Sequence, residues 1–268
     1  MIGFDASQAD RMAAIVAKFN KKRGSTVKII NRVGLTVCSL TIMAALTQRF
    51  EILPYRIAFA ALLVGLLSSS LLAIFTSGVL VSQLIRKIRV DMELIPMILV
   101  CMLPPVIAIA SAGLDGLRAP SITDITSDTA HPPAFRFIDA NDGYRENSLV
   151  YPGDLVAEEQ MRAYPDIQTV IVKLPARVAY RYAFRSARLL SWVVVGEDRS
   201  DFQFEATAKT PLLGFANDVV VRVTPISRTV SALDIRSVSR FGRSDLGANA
   251  RRIRHFFAAF DDQVKKVK

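Results

Sequence analysis

Residues 57–81 and 94–114 run for 25 and 21 residues without one charged side chain. A helix of about 20 apolar residues crosses a hydrocarbon core of about 30 Å, so each stretch is long enough to span a membrane. A third stretch, Val33–Thr47, has only 15 residues, but Ile29 and Ile30 precede it and Arg32 stands near enough to its end to snorkel toward headgroups. It is read as a span over about 29–47. Pro104 and Pro105 fall within the third span and predict a kink there, because each removes a backbone donor. Ser68, Ser69 and Ser70 place hydroxyls in the second span. Bonding back to carbonyls one turn earlier is their expected use, ahead of bonds across to a neighbouring helix. Both cysteines, Cys38 and Cys101, sit in these apolar runs, so there is no disulfide framework to read.

The 268 residues carry 34 Lys and Arg against 24 Asp and Glu, a formal charge of +10, yet 51% of the chain is apolar and the mean hydropathy is +0.31. That combination excludes a single soluble globule and a disordered chain alike. Residues 1–117 hold 12 basic and 6 acidic side chains, and residues 118–268 hold 22 and 18. With three spans, nine flanking basic residues stay on the amino-terminal side and three lie opposite, and a two-span count gives the same split. The Arg86-Lys87-Ile88-Arg89 cluster decides between them, since it lies in the short connection that a two-span chain would have to translocate. The expected arrangement is a multi-pass inner-membrane protein with a cytoplasmic amino terminus and residues 118–268 in the periplasm. Residues 1–28 form a basic tail whose segment 5–19, with Met12, Val16 and Phe19 on one face, suits an amphipathic helix on anionic lipid. A plain topogenic flank is the simpler alternative, and a cleaved signal peptide fits poorly.

Residues 115–169 are rich in Pro, Asp, Ser, Thr and Asn, and little regular structure is expected there beyond a short helix near Asp154–Tyr164. Ile122, Ile125, Phe135, Phe137 and Ile138 recur through it, which predicts an extended arm packed on the domain that follows. Asp139–Gly143 resembles the start of a calcium loop but puts Gly at the fifth position instead of the sixth, so a turn is expected.

Residues 170–268 read as an α+β domain, and with the bundle over 29–114 the fold class is α+β: a three-helix transmembrane bundle, then an antiparallel sheet covered by helices. Pro175 opens a helix over Ala176–Leu190 with Ala176, Ala179, Tyr182, Ala183, Ser186 and Leu190 inward. Arg177, Arg181, Arg185 and Arg188 line the opposite face with no acidic residue at four-residue spacing. A solvated face paired to Glu158, Glu159, Asp198 or Asp201 is the plainer use of this stripe. Contact with anionic lipid headgroups or an acidic envelope partner is the functional one. Strands follow at Trp192–Glu197, Phe202–Lys209, Asp218–Thr224 and Thr229–Ser237, with Arg222 set to pair with Asp234 across a hairpin. A last helix carries Leu246, Ala250, Ile253, Phe257, Phe260 and Val264 on one face, with Ser244 as its expected N-cap.

Ile122–Asp128, Pro132-Pro133-Ala134-Phe135, Tyr164-Pro165-Asp166-Ile167 and, above all, the run Asp234–Arg254 resemble the bacterial and plastid family known as domain of unknown function 1499, over about residues 120–262. Three apolar helices ahead of such a domain resemble its proteobacterial members. The resemblance implies an outward-facing domain and carries no activity, cofactor or catalytic residue with it.

On chemical grounds the segment Ser239–Asp245 stands out. It ends a strand, turns at Gly242 and opens a helix, so Ser239, Arg240, Arg243 and Ser244 could converge on a phosphate or carboxylate. Pairing of Arg240 or Arg243 with Asp218, Asp234 or Asp245 would make the same segment a structural corner. His131 and His255 have no nucleophile setting around them, and no metal, phosphate-loop or nucleophile-elbow motif occurs. The catalytic residues are therefore unknown, and no metal, cofactor or nucleic acid is expected. The reading is a membrane-anchored binding module for anionic lipid or an envelope protein. Its alternative is an envelope hydrolase or transferase acting on an anionic lipid or cell-wall precursor.

Overall fold

In the computed structural model, residues 6–140 and 145–266 are described, and the chain divides into two compact units, Met1–Ala108 and Ile109–Lys268. The first unit is built from α1 (Ala6–Arg49), α2 (Tyr55–Ile85) and most of α3 (Leu94–Leu117). Each of the three includes a stretch long and apolar enough to cross a membrane. The tail and the first span form one continuous helix of 44 residues. At 1.5 Å per residue it is about 66 Å long, roughly twice a hydrocarbon core. Of the expected amphipathic segment 5–19, residue 5 and the side chains of residues 6–9, 13 and 19 lie outside the described residues.

Large apolar side chains such as Leu40, Leu67, Ile74 and Leu99 point outward, while Val27, Ile30, Cys38, Ala73, Leu94, Met97 and Cys101 meet inside. Ser69 and Ser70 both donate to the Leu66 carbonyl, at 3.0 and 2.7 Å, as back-bonding predicts. Helical dihedrals in α3 break at Gly113 (φ 74, ψ 163), not at Pro104 or Pro105. Arg23 Nε and Gln83 Nε2 each donate to Asp91 Oδ2 at 2.8 Å, so the basic part of α1 and the α2–α3 connection lie at the same end of the bundle. A three-span chain requires that.

The second unit is a six-stranded antiparallel sheet with helices. Its strands are β1 (Asp124–Thr126), β2 (Val170–Val172), β3 (Val193–Asp198), β4 (Gln203–Lys209), β5 (Ala216–Pro225) and β6 (Ser231–Ser239). They lie in the order β1-β6-β5-β4-β3, with β2 also paired to β6. The helices are α4 (Asp154–Ala163), α5 (Ala176–Leu189) and α6 (Ala248–Lys265). The period of two gives the sheet chemically distinct faces. Phe204, Ala206, Val219, Val221, Val223, Leu233 and Ile235 form one core with Ala179, Ala183 and Ala187 of α5 and Ile253, Phe256 and Phe260 of α6. On the other face, Ser127, Pro133, Phe137, Ile138, Arg145 and Leu149 from the stretch between β1 and α4, here called the arm, bond to Asp234, Arg236, Glu205 and Asp218.

Several boundaries differ from the sequence reading for physical reasons. β1 and β2 are three-residue strands too short to show alternation, and both are held by pairing to β6. In α5 Tyr180 is buried and Tyr182 is only half-buried. In α6 Phe256 is fully buried and Phe257 half-buried, because Phe256 stacks on Trp192 at 5.4 Å with the rings 16° apart. Leu246 precedes the helix and is exposed. Ser244 is not the N-cap: Gly247, in the left-handed region at φ 72, occupies that position. The Asp245 carboxylate accepts from the Gly247 and Asn249 amides at 2.8 and 2.6 Å and satisfies the helix start. Of the stretch Asp139–Gly143, residues 141–143 lie outside the described residues.

Candidate functional site

Two groups of arginines in the second unit bear on function, and their surroundings differ completely. On α5, alanines at positions 176, 179, 183 and 187 let the helix lie close on the sheet, and Ser186 bonds back to the Tyr182 carbonyl at 2.9 Å. Tyr180 leans onto Phe202 and Phe204 and donates its hydroxyl to Glu197 at 2.9 Å. Its burial and that carboxylate push the phenol well above its ordinary range. With that face fixed inward, Arg177, Arg181, Arg185 and Arg188 all face solvent. Among the described residues none of the four has a carboxylate partner. Arg188 lies over the Phe184 ring at 5.8 Å. Asp198 and Asp201, two of the expected partners, are turned to Arg136 instead.

The second group lies beneath the arm. Asp218, fully buried on β5, accepts from Arg240 Nε at 3.0 Å and Nη2 at 2.9 Å, from Thr207 Oγ1 at 3.0 Å, and from Arg145. Asp124 on β1 and Arg236 on β6 form a two-point pair at 2.9 and 2.7 Å. Arg236 also donates to the carbonyls of Pro133 and Leu149 and lies 5.3 Å from each of the Phe135 and Tyr151 rings. Burial raises the Tyr151 phenol to about 12. Arg222 reaches Asp234 at 3.1 Å, as the hairpin register predicts, and Asp128 at 2.9 Å. Asp234 further accepts from Ser127 and Thr169, and the buried Glu205 accepts the amides of Arg136, Phe137 and Ile138. Charges taken this far from water persist because the arginines and aspartates are paired and Glu205 is held by three amides.

The segment Ser239–Asp245 belongs to this second system. Ser239 Oγ donates to Asn217 and accepts from Asn249, both at 2.9 Å. Ser244 Oγ accepts the Leu246 amide at 3.2 Å. Arg240 is spread on Asp218, and Arg243 is exposed. Nearby, burial pulls Arg252 down and raises Asp245 against its two amide bonds. The structure therefore engages three of the four residues within the fold and leaves Arg243 facing outward. His131 and His255 are both exposed, and among the described residues no three His, Cys, Asp or Glu side chains cluster together.

The sequence reading did not find the Asp124–Arg236 pair, the Arg145–Asp218 contact or the role of Glu205. The available signal was the off-face alternation in β5 and β6, where Asp218, Arg222, Asp234 and Arg236 occupy positions opposite the valine and leucine face. A charged off-face is ordinarily a solvated one, which concealed the arm above it.

The model of the family described as "Protein of unknown function (DUF1499)" matches residues 124–260, just over half of the chain. No curated protein matches. Among solved structures, the chain is similar to the di-domain ARO/CYC protein StfQ from the steffimycin biosynthetic pathway. That likeness has 10% identity and a TM-score of 0.30, over 35% of this chain and 43% of that one, so the chain spans less than half of StfQ. It is also similar to the solution structure of a protein from Thermobifida fusca, at 12% identity and a TM-score of 0.25, over 34% and 80% of the two chains.

Proposed function

The chain belongs to this family of proteins of unknown function, and from that premise we propose that it is a multi-pass inner-membrane protein whose periplasmic C-terminal unit is a module for anionic lipid headgroups. The observation that carries this reading is the acid-free row of Arg177, Arg181, Arg185 and Arg188 on the solvent side of α5. From the first to the last of these positions α5 rises about 16 Å. A row of that length suits several phosphates in one lipid surface better than one small anion. Each such arginine near an anionic leaflet contributes about 1 kcal/mol. The rival reading, an envelope enzyme at the Arg240 corner, would need free groups there, whereas Ser239, Arg240 and Ser244 are engaged within the fold.

The periplasmic placement draws support from Arg86, Lys87 and Arg89, which share the bundle end marked by the Arg23–Asp91 pair. Alkaline phosphatase fused after Lys268 is expected to be active in cells; a stable but inactive fusion removes the placement. The lipid reading is tested by mass spectrometry of lipids that copurify with the full chain in detergent. The Arg177→Gln/Arg181→Gln/Arg185→Gln/Arg188→Gln variant is expected to lose most of the retained phosphatidylglycerol and cardiolipin, and Arg240→Ala/Arg243→Ala to keep them. Equal retention by wild type and the fourfold variant overturns the lipid reading and leaves an acidic protein as the partner to seek.

A further inference from the structure

Inside the first unit, three sulfur atoms lie together among apolar side chains, with the Val100 carbonyl 3.6 Å from Cys38 Sγ. Cys38 Sγ of α1 lies 3.9 Å from Cys101 Sγ of α3, and Cys101 Sγ lies 3.7 Å from Met97 Sδ. Met97 and Cys101 are four residues apart and so share one face of α3. All three residues are buried, at 5%, 0% and 6% exposure for Cys38, Cys101 and Met97, and both cysteines are free thiols. The wall around them includes Ile30, Ala73 and Leu94. Room for the group depends on Gly34, where a Cβ would collide with Met97 Sδ and come within 3.3 Å of Cys101 Sγ.

We propose that Cys38, Cys101 and Met97 form an all-sulfur site for a soft monovalent metal ion, Cu(I). Thiolate and thioether donors select Cu(I), whereas zinc takes four ligands from thiolate, imidazole and carboxylate and gains little from a thioether. Metal–sulfur bonds of about 2.3 Å arranged in a trigonal plane put neighbouring sulfurs about 4 Å apart. The Cys38–Cys101 and Cys101–Met97 separations are close to that value before any metal draws the sulfurs together. Cu(I) displaces both thiol protons, which leave for solvent, and bonds to the two thiolates so formed, while Met97 donates a thioether lone pair.

The test is anaerobic titration of the purified full chain in detergent with Cu(I), in competition with bathocuproine disulfonate. Wild type is expected to take one Cu(I) per chain from the competitor, with a sulfur-only first shell in X-ray absorption. Cys38→Ser and Cys101→Ser are expected to abolish uptake. Met97→Leu, which keeps volume and apolarity, is expected to weaken it by about tenfold or more while helical circular dichroism is unchanged. Its retained fold separates loss of a ligand from loss of the bundle. The proposal is overturned if wild type leaves all the copper with the competitor, if Cys101→Ser or Met97→Leu binds as wild type does, if oxygen or nitrogen fills the first shell, or if Zn(II) is held as tightly.

Discussion

Arg236→Met is expected to destabilise the C-terminal unit by about 3–5 kcal/mol, the usual cost of leaving one member of a buried ion pair without its partner. This guanidinium donates four hydrogen bonds: two to Asp124 and one each to the Pro133 and Leu149 carbonyls. Methionine fills the space between Phe135 and Tyr151 but satisfies none of those acceptors, so the Asp124 carboxylate stays buried without its cation. Against a typical domain stability of about 5–15 kcal/mol, the loss is a large fraction of the whole. Denaturant titration followed by the single tryptophan, Trp192, reads this unit directly, because that residue lies in its core. Asp124→Asn together with Arg236→Met is expected to recover part of the loss, since the stranded charge is then gone. A single-variant loss below about 1 kcal/mol would show that the pair does not anchor the arm.

On the opposite face, Phe256→Ala is expected to cost about 3–5 kcal/mol through the lost transfer energy and the cavity left beside Trp192. Phe257→Ala is expected to cost clearly less, because Phe257 is only half-buried. Urea midpoints of the two variants, compared by far-ultraviolet circular dichroism, check the order. Equal midpoints would mean that the Phe256–Trp192 stack is not central to packing.

That pair of phenylalanines also shows how far the sequence could be read. Apolar spacing found α6 and most of its inward face but started it too early, and two adjacent phenylalanines fit the same face about equally well. Only the position of Trp192, in the connection between α5 and β3, separates them. The four longer strands and the Arg222–Asp234 pair were legible because alternation and hairpin register are local properties. Asp124–Arg236 was not, since its members lie 112 residues apart and nothing in either neighbourhood identifies the other. The arginine row on α5 was legible in full: a helix period fixes which side faces out. The corner at Ser239–Asp245 was only half legible. Its residues are as expected, but whether they face a ligand or the fold depended on Asp218, Asn217 and Asn249. The three sulfurs escaped notice because they belong to two helices and the third donor is a methionine, which apolar patterning counts as core.

The charged underside of the sheet has a consequence for how the chain assembles. The arm precedes the four long strands in sequence, yet its docking partners Glu205, Asp218 and Arg236 arrive later, on β4, β5 and β6. It leaves the ribosome first and must wait for its seat. Contacts of such long sequence separation form slowly, and a sheet left half-covered in the meantime would ordinarily be a nucleus for aggregation. Here the uncovered face carries carboxylates and guanidiniums that water solvates well, which lowers the cost of leaving it open until the arm docks.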